Sequence, residues 1–468
     1  MPDANEALHI ALAHQERHQY DQAICAFTEA IALKSGFAEA YYGRGNAYEA
    51  KGLYELAIAD YTKVLEFSPK EAAAHFNRAL VYAKTGNRPQ AIADYTEAIR
   101  LDPQYAKAYY NRGLVHFKLG QFEAAIADLT AAIRLDPKDA DAYVSRGLSH
   151  AEQGELERAI ADYDEAIRVN PQHAKAYGNR ANAYEHLGDH RRAIADYAEV
   201  ISLNPKDAKA FCNRAVAYLH LEQFDLAIAD YTEAIRLNPK HARAYYARGI
   251  VYSKKHQIDR ALADYDEALR LDPRIVDAYV CRALAKSAKG DREGALEDYA
   301  EAIKLDARYA KAYYHRGVLY GMEGHMDWAI ADYTQLILLQ PDNAKAYCHR
   351  GVLFARKKDW DKAVADYQEA IRIDPRYAMA YYNRGLVHAV RGRYKEAAAD
   401  LTQTIRLTPA FVLAYYNRAL IYERLGKRSL ARADRDKARR LEEDKAQKAK
   451  HKTDSAAAAP VSPAASKA

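Results

Sequence analysis

The sequence predicts an all-α protein, a right-handed α-solenoid superhelix of thirteen helix–turn–helix repeats, each 34 residues long. Three observations predict this fold class. The chain resembles itself at a constant spacing of 34 residues, without insertion or deletion, from Ala4 to Lys445. Within each repeat, small and apolar residues recur at spacings of three and four, which is the period of an α-helix. Glycine and proline, which both end helices, recur at fixed places in the repeat.

The alignment of the repeats takes Ala38 as position 1 and extends in both directions along the chain. Apolar or small residues occupy positions 4, 8 and 11, and then positions 20, 24, 27 and 28. Each set places one apolar face on a helix, so every repeat is predicted to fold as a helical hairpin. The repeats start at residues 4, 38, 72, 106, 140, 174, 208, 242, 276, 310, 344, 378 and 412.

Helix-breaking residues mark the two turns of each repeat. Glycine often occupies position 15, as at Gly52 and Gly188, where the first helix must stop and turn. Ten repeats have proline at position 32, from Pro69 to Pro409, which ends the second helix. The sequence therefore predicts one turn inside each hairpin and one between successive hairpins.

The repeated pattern A-Y-Y-N-R-G, followed by A-I-A-D-Y and A-I-R-L-D-P, resembles the tetratricopeptide repeat family. The resemblance covers 442 of the 468 residues. It implies stacked hairpins that hold other proteins and do no chemistry of their own. The departures are local, since tyrosine or phenylalanine mostly replaces tryptophan at position 4, Ala307 replaces one proline, and the first repeat is degenerate.

Arginine at position 7 and aspartate at position 23 occur together in twelve repeats. The first repeat lacks both and has Ile10 and Ala26 instead. Because the two residues are gained and lost together, we predict a partly buried, bidentate ion pair within each hairpin. Desolvation opposes the attraction in such a pair, so it is expected to fix helix register more than to add stability. The structural pairs singled out are Arg112 with Asp128 and Arg180 with Asp196.

The C-terminal end of the array differs from its interior. The last repeat has Arg435 at position 24, where most other repeats have an aromatic residue, and it continues as a polar helix, as a terminal repeat should. Residues 446–468 are rich in alanine, proline and lysine and are predicted to form a basic, disordered tail. This segment carries +3 of the formal net charge of +5, so the array itself is nearly neutral.

A ligand-binding groove is predicted along the first helices, which line the concave side of stacked hairpins. Positions 2, 5 and 6 face away from the apolar stripe and often carry lysine, an aromatic residue and asparagine, respectively. An asparagine amide offers a donor and an acceptor to a peptide backbone without reading its sequence. Aromatic neighbours add contact area. The predicted peptide-binding residues are Asn77, Asn111, Asn179, Asn213, Asn383, Asn417, Phe76, Tyr110, Tyr382, Tyr416, Lys107, Lys175 and Lys209.

The asparagine row is similar to that in the repeat domain of the O-linked N-acetylglucosamine transferase, where it holds substrate polypeptide. The similarity is confined to the row and does not include that family's catalytic domain. The alternative is that these asparagines hydrogen-bond to adjacent helices and only pack the array. The row is interrupted at Ala247, Cys281, His315 and His349. The main site is therefore predicted between Asn77 and Asn213, with Asn383 and Asn417 as a second patch.

Two other kinds of site fit the sequence poorly. A clamp for a C-terminal carboxylate needs lysine at position 5, which no repeat has. Cys281, His315 and His349 share position 6 in successive repeats, but neighbouring helices lie roughly 8–10 Å apart, whereas zinc ligands lie about 2 Å from the ion. No G-x-S-x-G, P-loop or H-E-x-x-H motif occurs. We therefore predict no metal, cofactor or catalytic residue, and do not expect an enzyme.

The predicted function is a protein–protein interaction scaffold that binds extended polypeptide segments in its groove. An alternative is a regulatory or targeting subunit of an enzyme complex that uses its convex face or its ends. RNA binding is a remote alternative, because a nearly neutral array lacks the basic stripe of a nucleic-acid-binding protein. The sequence shows neither a signal peptide nor an apolar stretch long enough for a transmembrane segment, which predicts a cytoplasmic location. It leaves the partner and the oligomeric state open.

Overall fold

Each predicted repeat folds as a helical hairpin in the computed structural model, which describes residues 3–457. In the fourth repeat the first helix spans Ala106–Lys118 and the second spans Phe122–Leu135. The same arrangement recurs thirteen times, so the described residues form twenty-six helices and no β-strand. None of the helices within this range is both long and apolar enough to cross a lipid bilayer. The all-α array predicted from the sequence is confirmed.

The chain divides into two units, called here the N-terminal half (through Lys240) and the C-terminal half (from His241). The helices of the N-terminal half are α1 (Ala4–Glu16), α2 (Tyr20–Leu33), α3 (Ala38–Ala50), α4 (Tyr54–Phe67), α5 (Ala72–Lys84), α6 (Arg88–Leu101), α7 (Ala106–Lys118), α8 (Phe122–Leu135), α9 (Ala140–Glu152), α10 (Leu156–Val169), α11 (Ala174–His186), α12 (His190–Leu203), α13 (Ala208–His220) and α14 (Phe224–Leu237). The helices of the C-terminal half are α15 (Ala242–Lys254), α16 (Ile258–Leu271), α17 (Val276–Lys289), α18 (Arg292–Leu305), α19 (Ala310–Glu323), α20 (Met326–Leu339), α21 (Ala344–Arg356), α22 (Trp360–Ile373), α23 (Ala378–Val390), α24 (Tyr394–Leu407), α25 (Val412–Arg424) and α26 (Arg428–Ala457).

The turn inside every hairpin contains a left-handed residue at position 15. Nine of these residues are glycine, such as Gly188 with a φ of 77°. A Cβ atom added to Gly188 would meet nothing within 4 Å, so glycine serves the backbone conformation and not a close approach. The other four are not glycine and have φ between 56° and 62°. Those four are His18, Glu222, His256 and Lys358.

The second helix of each repeat ends next to the proline position. In the fourth repeat α8 ends at Leu135, and Asp136 adopts a φ of −132° before Pro137. Extended backbone is what proline imposes on the residue before it. In the ninth repeat, which has Ala307 at this position, Asp306 takes the same conformation with a φ of −139°. Proline therefore marks the end of the second helix without being required for it.

Each of the first twelve hairpins buries a large residue at position 24 opposite a small residue at position 8. Tyr163 is 1% exposed, and a Cβ atom added to Gly147 would come within 2.6 Å of its ring. Ala159 and Ala166, at positions 20 and 27, are completely buried beside it. Because burying a large apolar side chain contributes about 1.5–3 kcal/mol, this residue is a main source of stability in the hairpin.

Within each half the first helices of successive hairpins lie side by side and form a layer, called here the inner layer. Most of them contact the first helix of the next hairpin as well as their own partner. The second helices of successive hairpins contact each other little or not at all within the described residues. The inner layer therefore carries positions 2, 5, 6 and 9, where the candidate ligand-binding residues lie.

All twelve arginine–aspartate pairs lie within their own hairpins, with closest N–O distances of 2.6–2.8 Å. Arg112 donates from Nε to Asp128 Oδ2 and from Nη2 to Oδ1, which is the predicted bidentate geometry. Arg180 and Asp196 pair in the same way. The structure adds a contact that the pattern did not predict, because Arg112 Nη1 also donates to Thr96 Oγ1 of the preceding repeat at 2.9 Å. The arginine thus joins two hairpins.

The last helix is longer than predicted. Helix α26 runs to Ala457, so residues 446–457 are helical, which differs from the prediction of a disordered tail beginning at residue 446. The sequence from Glu442 to Lys452 contains no glycine, proline or β-branched residue, and such a composition favours helix. The remaining part of the predicted tail, residues 458–468, lies outside the described residues. At position 24 of this repeat, Arg435 is partly exposed and pairs with Glu423 at 2.6 Å, so the end of the array is polar as predicted.

Candidate functional site

The predicted binding residues lie on the inner layer but differ in exposure. The lysines at position 2 are exposed, whereas the six asparagines at position 6 are half-buried. Exposed ammonium groups are free to meet a ligand, but half-buried amides need hydrogen-bond partners. The partners of the amides therefore decide which asparagines remain available.

Three of the asparagines donate to position 5 of the preceding repeat. Asn77 Nδ2 donates to Tyr42 Oη at 2.9 Å and to Asn46 Oδ1 at 3.0 Å. At these positions the asparagine joins neighbouring first helices, which is the packing role given above as the alternative. The equivalent contacts in the C-terminal half are Asn417 Nδ2 to Tyr382 Oη at 2.8 Å and Asn383 Nδ2 to Cys348 Sγ at 3.6 Å.

The predicted aromatic residues are also engaged within the array. Phe76 is buried, and its ring centroid lies 4.8 Å from that of Tyr105. Tyr110 packs against the buried cluster that includes Tyr143. The two aromatic residues in the C-terminal half are Tyr382, whose ring centroid lies 4.7 Å from that of Phe411, and Tyr416, which donates to Glu442 Oε2 at 2.9 Å.

The ladder of contacts from position 6 to position 5 of the preceding repeat is interrupted in the fourth, sixth and seventh repeats. Asn111 follows Phe76 at position 5, which has no hydroxyl, and it donates to the carbonyl of Lys107 in its own helix at 2.8 Å. Asn179 follows Val144 and makes no hydrogen bond to another described residue. Asn213 follows Gly178 and lies instead within hydrogen-bonding reach of a buried tyrosine hydroxyl. Asn179 therefore has an amide without a partner among the residues described.

A hollow of about 610 Å³ opens on the inner layer where the ladder is interrupted. At Gly178 the nearest atom to an added Cβ would be Val200 Cγ2 at 3.7 Å, an ordinary contact distance. Gly178 leaves position 5 of the sixth repeat without a side chain, where seven other repeats carry an aromatic residue, so no side chain from this position fills the hollow. Its lining residues are Val144, Leu148, Ala174, Lys175, Gly178, Asn179, Asn182, Tyr197, Val200, Asn204, Asp207, Lys209, Ala210 and Asn213.

A hydrogen bond at the base of this hollow orients one of its amides. Tyr197 Oη donates to Asn182 Oδ1 at 2.7 Å. Burial raises the pKa of Tyr197 far above its usual range, and the nearby carboxylate of Glu185 raises it further. The hydroxyl therefore stays protonated and remains a donor. Because the oxygen of Asn182 accepts this bond, its Nδ2 group is left without a partner among the described residues.

The structure brings four of the predicted residues to one place and leaves the others apart. Lys175, Asn179, Lys209 and Asn213 line the hollow. Sequence patterning did not single out Gly178 or Asn182 as site residues. The signal was the loss of the aromatic residue at position 5 in a repeat that also has asparagine at position 9. The predicted residues outside this hollow are Phe76, Asn77, Lys107, Tyr110, Asn111, Tyr382, Asn383, Tyr416 and Asn417.

A second hollow of about 500 Å³ lies at the start of the array, between the first and third repeats. Asn46 lines it and occupies position 9, as Asn182 does in the larger hollow. Its charged lining residues are Glu39 and Glu71, both exposed. Glu39 occupies position 2, the position of Lys175 in the other hollow. The two hollows thus share a location in the repeat but differ in the sign of their charge.

The cysteine and histidines that interrupt the asparagine row pack against tyrosines in the C-terminal half. The His349 ring stacks on Tyr333 with centroids 5.4 Å apart, and the Tyr314 hydroxyl lies 3.5 Å from His349 Nε2. Burial lowers the pKa of His349, and the positive charge of Lys345 lowers it further. No group of three or more histidine, cysteine, aspartate or glutamate side chains suited to a metal ion occurs among residues 3–457.

Stacked helical hairpins with a partly open inner face define a helical-repeat scaffold for protein–protein interaction. Family models described as tetratricopeptide repeat match residues 38–71, 76–140, 110–172, 144–208, 208–241, 242–275 and 310–343. A further model, described as TPR repeat, matches residues 12–52, 285–324, 353–389 and 390–426. The chain belongs to the tetratricopeptide repeat family, as its repeated pattern predicted.

Several solved structures are similar to parts of this chain. YrrB, described as a TPR protein with an unusual peptide-binding site, is 26% identical, with a TM-score of 0.36, over 39% of this chain and 95% of its own. Yeast Tom70 is 18% identical, with a TM-score of 0.40, over 87% and 97%. A tetratricopeptide repeat protein from Parabacteroides merdae is 20% identical, with a TM-score of 0.42, over 53% and 98%. Similarity at these scores carries no argument about ligands. Comparison with curated protein sequences gave no significant match.

Proposed function

We propose that the chain is a scaffold that binds extended polypeptide segments along its inner layer, with the hollow around Asn179 and Asn213 as the main contact. The observation that carries this proposal is the convergence of three amides, those of Asn179, Asn182 and Asn213, and two exposed lysines on one open hollow of about 610 Å³. Elsewhere in the row the asparagines are engaged in packing, as at Asn77. The hollow is therefore a narrower site than the whole row.

The chemistry of the hollow suits a peptide backbone. The amide of Asn179 and the Nδ2 group of Asn182 have no partner among the described residues, and a free amide provides both donors and an acceptor. A peptide that binds in extended form offers alternating N–H and C=O groups to such side chains. When no peptide is bound, water takes its place at these amides. Each hydrogen bond to the peptide therefore adds only about 1 kcal/mol to the free energy of binding.

Selection of binders from a random-peptide library, followed by titration of the selected peptides, tests the proposal. The test variant combines Asn179→Ala with Asn213→Ala. We expect it to weaken binding by about tenfold or more, since two hydrogen bonds of about 1 kcal/mol each are removed. Asn111→Ala is the matched control, because that amide is already occupied by its own helix.

Two outcomes would contradict the proposal. If the library yields no binder, the inner layer is not a peptide site. If selected peptides bind the double variant as tightly as the wild type, another surface binds them. The second outcome would favour the alternative of a regulatory or targeting subunit that works through its outer face or its ends.

A further inference from the structure

The hollow of the sixth repeat combines an apolar interior with a basic rim. Val144, Leu148 and Val200 contribute apolar side chains, and Gly178 leaves open the space that an aromatic side chain fills in seven other repeats. The volume of about 610 Å³ falls within the range of ligand pockets in proteins, about 300–1,000 Å³. One bulky apolar side chain, with part of the backbone that carries it, fits such a space.

The rim carries two positive charges that no described residue neutralises. Lys175 and Lys209 are exposed and form no ion pair within residues 3–457. Asp207 also lines the hollow, but its carboxylate accepts hydrogen bonds from the backbone N–H groups of Lys209 and Ala210 at 3.0 and 3.1 Å. A carboxylate in that position caps helix α13 and is compensated by the helix end. The two ammonium groups are therefore the charges that a ligand meets.

We propose that this hollow selects a peptide in which a bulky apolar side chain is flanked by acidic residues. The apolar side chain enters the space beside Gly178, and the flanking carboxylates pair with Lys175 and Lys209. The inference rests on the proposed function and names the class of ligand for the same site. Charge-assisted hydrogen bonds are roughly twice as strong as neutral ones, so the lysines determine which peptides are accepted.

The hollow at the start of the array provides an internal comparison. It has Glu39 where the larger hollow has Lys175, and its second charged residue is Glu71. Like charges repel, so an acidic peptide that fits the larger hollow is rejected by this one. A basic peptide has the opposite preference. A change in the larger hollow is therefore expected to affect an acidic peptide and to leave a basic one unaffected.

The experiment uses the full chain and three short synthetic peptides labelled with fluorescein. The acidic probe has one tryptophan between glutamates, the basic probe has lysines in place of the glutamates, and the third probe has glycine in place of the tryptophan. Binding is measured by fluorescence anisotropy at low and at physiological ionic strength. The acidic probe is expected to bind at least about tenfold more tightly than the glycine probe, because burial of the indole side chain is favourable. Its affinity is expected to fall as salt is added.

Two variants test the two parts of the hollow. Gly178→Tyr restores the aromatic residue of position 5 and fills the space. It is expected to lower the affinity for the acidic probe by about tenfold or more and to leave the affinity for the basic probe unchanged. Lys175→Glu combined with Lys209→Glu reverses the rim charge and is expected to weaken the acidic probe by a similar factor. The matched control is Lys138→Glu with Lys240→Glu, which makes the same change in net charge at two exposed loop lysines outside the hollow. Circular dichroism checks that each variant keeps its helical content.

The inference is overturned if Gly178→Tyr leaves the acidic probe bound as before, or if the control weakens that probe as much as the rim reversal does. Absence of any binding of the acidic probe to the wild type overturns it as well. These results leave the proposed function to be decided separately, since the random-peptide library is not restricted to acidic sequences. A library that yields binders sensitive to Asn179→Ala but without acidic residues would refute this inference and support the proposed function.

Discussion

Arg112 makes three contacts, each with a different structural consequence. Its two hydrogen bonds to Asp128 tie the helices of one hairpin, and its bond to Thr96 ties that hairpin to the preceding one. Asp128 is only 6% exposed, so its charge is separated from water and depends on the arginine. An ion pair in such a place contributes little net stability, but the loss of one partner leaves an isolated buried charge.

A double-mutant cycle on this pair tests that reasoning. We expect Arg112→Met to destabilise the hairpin by about 3 kcal/mol, because Asp128 then keeps only the more distant imidazole of His116, at 3.8 Å, beside its carboxylate. Arg112→Met combined with Asp128→Leu is expected to cost much less, about 1 kcal/mol, since no buried charge remains. Hydrogen exchange of amides in α7 and α8 measures the free energy of local opening. Additive effects of the two single changes would refute coupling between the side chains.

A half-buried histidine at position 6, His349, is expected to make the stability of the C-terminal half depend on pH. His349 lies between Tyr314 and Tyr333, and burial together with Lys345 lowers its pKa in the folded state. As the pH falls below about 6.5, the unfolded chain takes up a proton that the folded chain does not, so the free energy of unfolding decreases. This penalty is absent above about pH 7.5, where the histidine is neutral in both states.

Replacing this histidine tests whether it lowers the stability as the pH falls. His349→Asn introduces the residue that six other repeats have at position 6, and it is expected to lose less stability than the wild type between pH 8 and pH 5. Urea unfolding at both pH values provides the measurement. His256→Asn is the control, because it makes the same substitution at an exposed histidine. A variant at His349 with the same pH dependence as the wild type would show that this ring does not contribute.

The candidate site could be predicted only in part, because residue type at a repeat position does not reveal its partner. Asn77 and Asn179 occupy the same position and look identical in the sequence. Asn77 is engaged because Tyr42 precedes it by one repeat, whereas Asn179 follows Val144 and is not. Gly178 shows the same limit, since its contribution to the hollow is the absence of a side chain. Reading positions 5 and 6 as a pair across repeats would have identified both residues.

At the scale of the hairpin, four repeats have a residue other than glycine at position 15, and its left-handed backbone conformation slightly lowers their stability. Lys358 has a φ of 62°, a region that costs a non-glycine residue about 1 kcal/mol. The same turn is made by Gly188 at a φ of 77° without that cost. The helices on both sides impose this conformation whatever the residue.

Substitutions at the turn are predicted to have opposite signs in the two repeats. Lys358→Gly is expected to stabilise its hairpin by up to about 1 kcal/mol, and Gly188→Ala is expected to destabilise its own by a similar amount. The cost at Gly188 includes no steric clash, because an added Cβ atom would have no other atom within 4 Å. Lys358→Ala is the control and is expected to be nearly neutral, since it removes the side chain but keeps the strained φ. Hydrogen exchange in α21 and α22, and in α11 and α12, provides the readout.

The helices themselves could be predicted almost completely, because periodicity, glycine and proline all indicate the same boundaries. The turns at Glu222 and at Ala307 carry neither residue, yet both hold the expected conformation because the repeat context imposes it. The end of α26 was not predicted, since no breaker separates the array from the residues that follow. Boundaries are thus predictable where a residue marks them or where a repeat enforces them.

At the scale of the whole chain, the N-terminal half is a succession of equivalent interfaces. Arg112 reaches Thr96 and Arg146 reaches Thr130, so the same pair of positions joins successive hairpins. In such an array each repeat depends on its neighbours and not on its place in the chain. Removing one complete repeat should therefore recreate an interface of the same kind.

Deletion of residues 106–139 tests this expectation. The deletion joins Tyr105 to Ala140, so α9 would pack on α6, and Arg146 would find Thr96 where it now finds Thr130. We expect the helical signal per residue to be unchanged and the unfolding midpoint to shift by only a few degrees, because the repeats of an array are nearly interchangeable. Deletion of residues 106–121, which are α7 and the turn that follows it, is the control. It removes α7 alone and leaves α8 without a partner, so that hairpin is expected to lose its protection from hydrogen exchange.

The residues that line the larger hollow lie outside residues 106–139, and the shortened chain should therefore still bind the peptides selected against the wild type. Equal loss of structure in both deletions would show that the repeats are not equivalent.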